Sequence, residues 1–204
     1  MPSIPPQSLI VVTGITGYIA SHVGLAALQA GHRVRGTVRD LKRAQELRNA
    51  YAKQGVDITK LEFIVVDDIT SGTQLANAVK GADGVAHVAL PGDLLASSED
   101  MPHHAVKSKW FIDVRDDGRL HIAALTNPSL SGKRIWGVAE PTGWNQILAI
   151  LRKNFPDANV APDLVGEPGE PTKQKIENTV ATEALGGWIG LEQSLVDTGK
   201  SLGF

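Results

Sequence analysis

The ordered pattern of the chain begins at Leu9-Ile10-Val11-Val12, four apolar residues in a row that run into a glycine-containing turn. An unbroken apolar run of that length predicts a parallel strand buried on both faces. From Tyr18 to Ala30 the apolar positions fall at Ile19, Val23, Ala26, Ala27 and Ala30, a helical spacing, and Gly31 supplies a left-handed residue to end the helix. The pattern then predicts a strand over 32–38, a charged amphipathic helix over 40–54, a strand over 61–66, a helix over 71–80 and a strand over 84–90. Strand and helix alternate from residue 9 to 90, the signature of βαβ units on a parallel sheet.

Beyond residue 90 the periodicity stops. Residues 91–109 carry loop formers and no period, and are expected to form a linker. Order returns with a strand over 110–114 and a helix over 115–126, followed by a strand over 133–138. Thr142 or Asn145 caps a helix through Lys153, which Pro156 terminates; 161–171 is a Pro/Gly-rich loop and 191–202 a last helix. The first eight residues, with three prolines and two serines, read as a disordered leader. The expected organisation is a leader over 1–8, a nucleotide-binding part over 9–90, a linker over 91–109 and a C-terminal part over 110–204.

Composition narrows the function classes. With 20 Lys+Arg against 22 Asp+Glu the net charge is −2, which lacks the basic field that nucleic acid or an anionic membrane calls for. There is no cysteine, so disulfides, thiolate zinc sites and a cysteine nucleophile are excluded. No apolar run approaches the roughly 18 residues of a membrane span, and the N-terminal residues lack the basic-then-apolar order of a secretory signal. These features predict a soluble cytoplasmic protein.

The informative stretch is Thr13-Gly14-Ile15-Thr16-Gly17-Tyr18-Ile19-Ala20, placed after the first strand and opening the first helix. Glycine suits a tight turn that must approach a pyrophosphate closely, and the phosphates then meet free N–H groups at the positive end of the helix. A glycine turn serving only helix–strand packing is the alternative. At the end of the second strand, Arg39 with Lys42 or Arg43 suits the 2′-phosphate of NADP(H), whereas Asp40 leaves NAD(H) open. Asp68 and Ile69, after the third strand, are placed to flank an adenine, with Asp68 as a helix cap the other possibility.

The segments VTGITGYIASHV, RGTVRD, VVDDIT and DGVAHVALP, with WFIDVRD, ILRKNFP and ALGGWIGLEQSLVDTGKSL further on, resemble the NADP-dependent extended short-chain dehydrogenases/reductases. The likeness is to the dihydroflavonol, cinnamoyl-CoA and fungal aldehyde/ketone reductase branch, and it covers nearly all of 9–90 and 110–204. It implies an α/β fold, a Rossmann-like parallel sheet carrying NADP(H), a small C-terminal substrate lobe and reduction of a small-molecule carbonyl. By position, Gly14, Gly17, Tyr18, Ile19 and Ala20 would cradle the pyrophosphate, and Arg39 with Lys42 or Arg43 the 2′-phosphate. Asp68 and Ile69 would meet the adenine, and His87 to Ala89 would line the inner ribose. Ala20 replaces the third glycine of the common pattern, and Leu90 stands where Ser or Thr is usual.

The family's catalytic unit, a Ser or Thr and a Tyr-x-x-x-Lys, has no counterpart here. Tyr18 is followed four residues on by His22 and Tyr51 by Gly55, and there are no other tyrosines. Only 18 residues separate Pro91 from Trp110, where the family carries a much longer segment; one βαβ crossover alone takes roughly 10–12. The chain therefore resembles a family member with an internal deletion: a truncated Rossmann-like sheet with a residual lobe. Its ordinary catalysis is expected to be absent or strongly impaired, with a non-catalytic NADP(H) sensor or partner-binding protein as the alternative. The fourth strand would lose its neighbour and expose an apolar edge, to be filled by 110–114 or by a second copy of the chain, or else left open in a marginally stable protein. His103 and His104 with Lys107 or Lys109 are a weak substitute acid, more simply solvated. Asp113, Arg115 and Asp116 read as a salt-bridged turn rather than a substrate contact, and Trp136, Trp144 and Trp188 as packing.

Overall fold

The computed structural model describes residues 3–88, 109–165 and 175–204. The chain divides into two compact units, one drawn from Met1–Ala89 and Asp117–Arg134, the other from Leu90–Asp116 and Ile135–Phe204. Residues 117–134, which chain order groups with the C-terminal half, thus pack with the first unit.

The first unit is built on a parallel sheet of four strands in the order β3-β2-β1-β4, with β1 Leu9–Val12, β2 Arg33–Val38, β3 Leu61–Val65 and β4 Gly84–Ala86. Every residue of β1 is buried, as a central strand covered on both faces requires. Helix α1 (Tyr18–Gln29) follows β1, α2 (Leu41–Lys53) follows β2 and α3 (Gly72–Val79) follows β3. Gly31, at φ +85°, is the left-handed residue after α1. Helix α4 (Val114–Thr126) lays Gly118 on α1: a Cβ there would lie 2.6 Å from the His22 carbonyl oxygen. That contact leaves room for hydrogen alone.

Two expectations fail in this unit. Residues 3–8 are not a detached leader: the Ile4 amide donates to the Leu125 carbonyl at 3.0 Å, and the Ile4 side chain packs on the core. Composition registered the prolines and missed one apolar anchor. The fourth strand is three residues long, and the 110–114 segment does not extend the sheet; among the described residues β4 pairs with β1 alone.

The second unit holds a two-stranded antiparallel sheet, β5 (Lys109–Phe111) with β6 (Glu140–Thr142), and helices α5 (Trp144–Asn154), α6 (Thr179–Leu185) and α7 (Leu191–Ser201). The strand expected over 133–138 is instead irregular, and the pairing falls on 140–142, opposite β5. A β-forming run becomes a strand only where a partner offers free backbone, and β5 offers three residues. Helix α5 packs on α7, tied by Lys153 and Asn154 to Glu192 at 2.8 and 3.0 Å. Trp188 donates its indole N–H to Thr182 at 2.7 Å, but Trp136 is half exposed and Trp144 is also at the surface, so neither is a core residue.

The core of the first unit has one unusual feature. Ile15, in the turn after β1, is fully buried. A Cβ at Gly36 of β2 would lie 2.3 Å from its Cγ2, and one at Gly24 of α1 would lie 2.7 Å from its Cδ1. Gly36→Ala is therefore expected to destabilise by about 1–3 kcal/mol through overpacking, and Ile15→Val in the same chain to recover part of that loss. Urea denaturation of the single and double variants measures it, and strictly additive effects would refute the socket. His32, 4% exposed with its Nδ1 unpartnered, is held neutral by burial, which outweighs the opposing bond to the Ser8 carbonyl. Its lowered pKa makes the unfolded chain protonate first, so stability falls as the pH drops below about 6.5. Replacing His32 by Gln should flatten that limb of the pH–stability curve; an unchanged slope between pH 7 and 5 would exclude it.

Candidate functional site

The turn after β1 is held by β2. Gly14, at φ +60°, donates its N–H to the Thr37 hydroxyl at 2.9 Å, and Ile15 donates to the Thr37 carbonyl at 3.1 Å. The Gly17 amide closes onto the Gly14 carbonyl at 2.8 Å, and a Cβ at Gly17 would come within 3.2 Å of that oxygen. Gly17 is the N-cap of α1 and gives it no side-chain cap, and the first turn carries no acidic residue. Helix geometry leaves the N–H groups of Tyr18, Ile19 and Ala20 without intrahelical acceptors. Together with the positive end of the helix dipole they suit an anion.

A cleft of about 610 Å³ opens beside this turn, within the size range of small-molecule sites. Of the residues foreseen, Gly14, Gly17, Arg39, Arg43, Asp68, Ile69 and His87 line it. Tyr18, Ile19, Ala20 and Lys42 do not: the Tyr18 ring is turned to solvent, Ile19 and Ala20 face the core, and Lys42 contributes its amide to a helix cap. Ala89 lies outside the described residues, as do His103, His104, Lys107 and the side chain of Lys109. Thr13 and Asp67, which lie in the stretches singled out but were given no role of their own, also line the cleft, as does Thr37, which was not foreseen. Their signal, a hydroxyl or carboxylate at the carboxyl end of a strand, is too common to stand out in a sequence.

Charge in the cleft is set by which groups are already engaged. Arg39 and Arg43 line the cleft and have no hydrogen-bond or ion-pair partner among the described residues; Asp67 and Asp68 line it too, each bonded to a residue a few positions on in the chain. Asp40, the acid that leaves the second strand open to a ribose 2′-hydroxyl, is the N-cap of α2 and accepts the Lys42 N–H at 2.8 Å. Asp68 accepts the Thr70 hydroxyl at 2.6 Å and the Thr70 N–H at 2.8 Å, bonds that hold its carboxyl below the usual range. It therefore caps a turn and not α3, whose cap is Ser71. Gln74 fastens the same loop, donating to the Asp67 carboxylate at 2.5 Å and accepting the Asp67 N–H at 3.1 Å. At the end of β4, His87 Nδ1 and the Thr13 hydroxyl are 2.8 Å apart.

Neither tyrosine is placed as a proton donor with a lysine four residues on. Tyr51 is buried and donates its hydroxyl to the Ser21 carbonyl, buckling α2 to α1; burial pushes its phenol well above the ordinary range. In the second unit Arg115 meets Asp113 through two side-chain bonds of 2.8 Å each and Asp197 at 2.7 Å, a salt-bridged turn as the sequence suggests. Asp116, fully buried, accepts the Ile189 N–H at 2.6 Å.

Residues 6–100 match the model of the NmrA-like family. A ketoreductase of Penicillium roqueforti is 40% identical over 97 residues, which cover 47% of this chain and 28% of that protein. Aldehyde reductase 2 of Sporidiobolus salmonicolor is 36% identical over 86 residues, covering 42% and 24%. The chain thus spans about a quarter of the length of these curated relatives. Among solved structures, the yeast methylglyoxal/isovaleraldehyde reductase complexed with NADPH aligns at TM-score 0.69 and 16% identity, over 95% of this chain and 98% of that one. That identity speaks for the fold alone. The similarity to the extended short-chain dehydrogenases/reductases holds, and the fold is α/β with a Rossmann-like parallel sheet.

Burial pushes the Asp113 carboxyl up, but the Arg115 bonds outweigh it and hold it low; the Arg115 bond does the same for Asp197. Their stabilisation is present above the ordinary carboxylate range, around pH 4, and is lost as the pH falls through the lowered values. Asp113→Asn should make acid unfolding of the chain shallower between pH 5 and 2, followed by circular dichroism; an unaltered curve would show the pair to be inert.

Proposed function

We propose that the cleft binds NADP(H), and that the chain is a carbonyl-reductase-type protein whose ordinary tyrosine–lysine proton relay is absent or strongly impaired. The observation that carries the cofactor reading is the pair of guanidinium groups, Arg39 and Arg43, that have no partner among the described residues, beside an Asp40 carboxylate committed to a helix cap. A 2′-phosphate supplies the anion this arrangement lacks, and a bare 2′-hydroxyl does not. The residues present fit the group in a second way: Gly17 admits backbone where a Cβ would crowd Gly14, and α1 offers an uncapped N-terminus for the pyrophosphate.

When bound, the cofactor would supply a hydride equivalent to a small aldehyde or ketone. On this reading Gly14, Gly17 and the amides of Tyr18, Ile19 and Ala20 hold the pyrophosphate; Arg39 and Arg43, with Lys42 nearby, hold the 2′-phosphate. Asp68 and Ile69 border the adenine, and His87, oriented by Thr13, borders the inner ribose, with Ala89 beyond it. The tyrosine–lysine pair that would deliver the proton accompanying hydride has no counterpart among the described residues. Tyr51 spends its hydroxyl inside the protein, and no Tyr-x-x-x-Lys occurs anywhere in the 204 residues. That absence favours a second reading, a non-catalytic NADP(H)-binding sensor or partner-binding protein. A cytoplasmic location, and self-association through the β4 edge, complete the proposal.

In a thermal-shift titration NADPH at 100 times its Kd should add about 2.7 kcal/mol of stability, and NADH much less. Arg39→Ala and Arg43→Ala should each weaken NADPH by at least about tenfold, the scale of a lost charged hydrogen bond, and leave NADH unchanged. Equal shifts by the two cofactors would remove the 2′-phosphate assignment. With small aldehydes, NADPH oxidation should run roughly 10²–10⁴-fold below that of an intact reductase assayed alongside, the typical loss with a missing general acid. A matching rate would overturn the impaired-enzyme reading.

A further inference from the structure

We propose that the Thr37 hydroxyl is a direct ligand of the bound dinucleotide, donating its proton to an oxygen of the phosphate–ribose stretch between the glycine turn and Arg39. This rests on the dinucleotide reading above and adds a specific contact to it. Thr37 is 3% exposed, sits near the carboxyl end of β2 and lines the cleft. A threonine hydroxyl has one proton to give and two lone pairs to receive. One lone pair takes the Gly14 N–H at 2.9 Å, and no group among the described residues accepts the proton.

The neighbouring threonine shows the contrast. Thr13 Oγ1 accepts the Val88 N–H at 3.3 Å and is 2.8 Å from His87 Nδ1, so the protein uses its hydroxyl twice. An idle donor on a buried hydroxyl is costly and uncommon in a folded protein. It is placed where an incoming oxygen would complete it. Thr37 and Arg39, toward the end of β2 and just past it, both line the cleft, while the Gly14 bond fixes the hydroxyl under the turn. The hydroxyl therefore shares one cleft with the glycine turn assigned to the pyrophosphate and the arginine assigned to the 2′-phosphate. Acting as acceptor for Gly14 and donor to the ligand, it couples the shape of the turn to occupancy of the cleft.

The test uses the full chain with NADPH as the probe. Thr37→Ser keeps both functions and should bind within about threefold of the unaltered protein; Thr37→Val, close in shape, removes both and should weaken NADPH by about tenfold. Because the valine also orphans the Gly14 amide, a second measurement separates ligation from support. In threonine-labelled protein, NMR should show a Thr37 hydroxyl proton protected from exchange when NADPH is bound and unprotected in its absence. Valine binding as tightly as threonine, or a hydroxyl proton that stays unprotected under saturating NADPH, overturns the proposal while leaving cofactor binding intact. Failure of the unaltered protein to bind NADPH overturns the dinucleotide reading and this contact with it, a result the first two do not resemble.

Discussion

The glycine turn can hold its shape because Ile15 is pegged into the layer beneath it. Of the two residues between Gly14 and Gly17, Thr16 lines the cleft and Ile15 points away from it, into a socket cut by Gly24 on α1 and Gly36 on β2. Either glycine, given a methyl group, would collide with it. With the side chain anchored, the Ile15 amide reaches the Thr37 carbonyl, and the Gly14 amide turns to the Thr37 hydroxyl. Three elements meet at one isoleucine. Tyr51 adds a fourth: its hydroxyl would lie 2.9 Å from a Cβ at Gly24, and it bonds the Ser21 carbonyl of α1. The phosphate-binding shape proposed for the turn is thus a packing property of the whole βαβα segment. Flexible glycines alone would not hold it.

That dependence explains what the sequence discloses and what it conceals. The turn glycines, the alternation of strand and helix over 9–90 and the basic end of β2 are local signals; the parallel sheet follows the alternation, and Gly14, Gly17, Arg39 and Arg43 line the cleft while Tyr18, Ile19, Ala20 and Lys42 do not. Gly24 and Gly36 look locally like weak points in a helix and a strand, because their partner lies elsewhere in the chain. Thr37 reads as an ordinary β-former until its hydroxyl is seen under Gly14. The same blindness to partners placed a strand at 133–138 and left Ile4 in a disordered leader. In both cases the deciding group, β5 for the strand and the Leu125 carbonyl for Ile4, is distant in sequence.

Specificity in the cleft turns on engagement more than on composition. The sequence around β2 holds Arg39, Asp40, Lys42 and Arg43, which by type alone suits either a 2′-phosphate or a 2′-hydroxyl. Helix α2 resolves the ambiguity by needing a cap. Its first-turn amides lack acceptors, and Asp40 is the residue in position to supply one. A carboxylate committed there is a poor partner for ribose, and at this end of β2 the two arginines are left without a partner among the described residues. The helix start therefore serves the neighbouring site by taking up the wrong-signed group.

The two tyrosines show how a binding half can persist without the relay that usually accompanies it. A tyrosine that donates the proton in hydride transfer must stand near the carbonyl, with a cation that lowers its pKa. Tyr51 has the opposite surroundings: burial raises its phenol, and its hydroxyl closes a helix contact. Tyr18 is exposed beside the turn, but its neighbour one helical turn on is His22, met edge to face at 5.8 Å, where a lysine would be needed. The turn, its Ile15 socket, Arg39 and Arg43 all lie within the first unit, so the proposed cofactor site is built from that unit alone. Selection for binding alone would retain every contact described in this cleft, and selection for turnover would have to find its acid elsewhere.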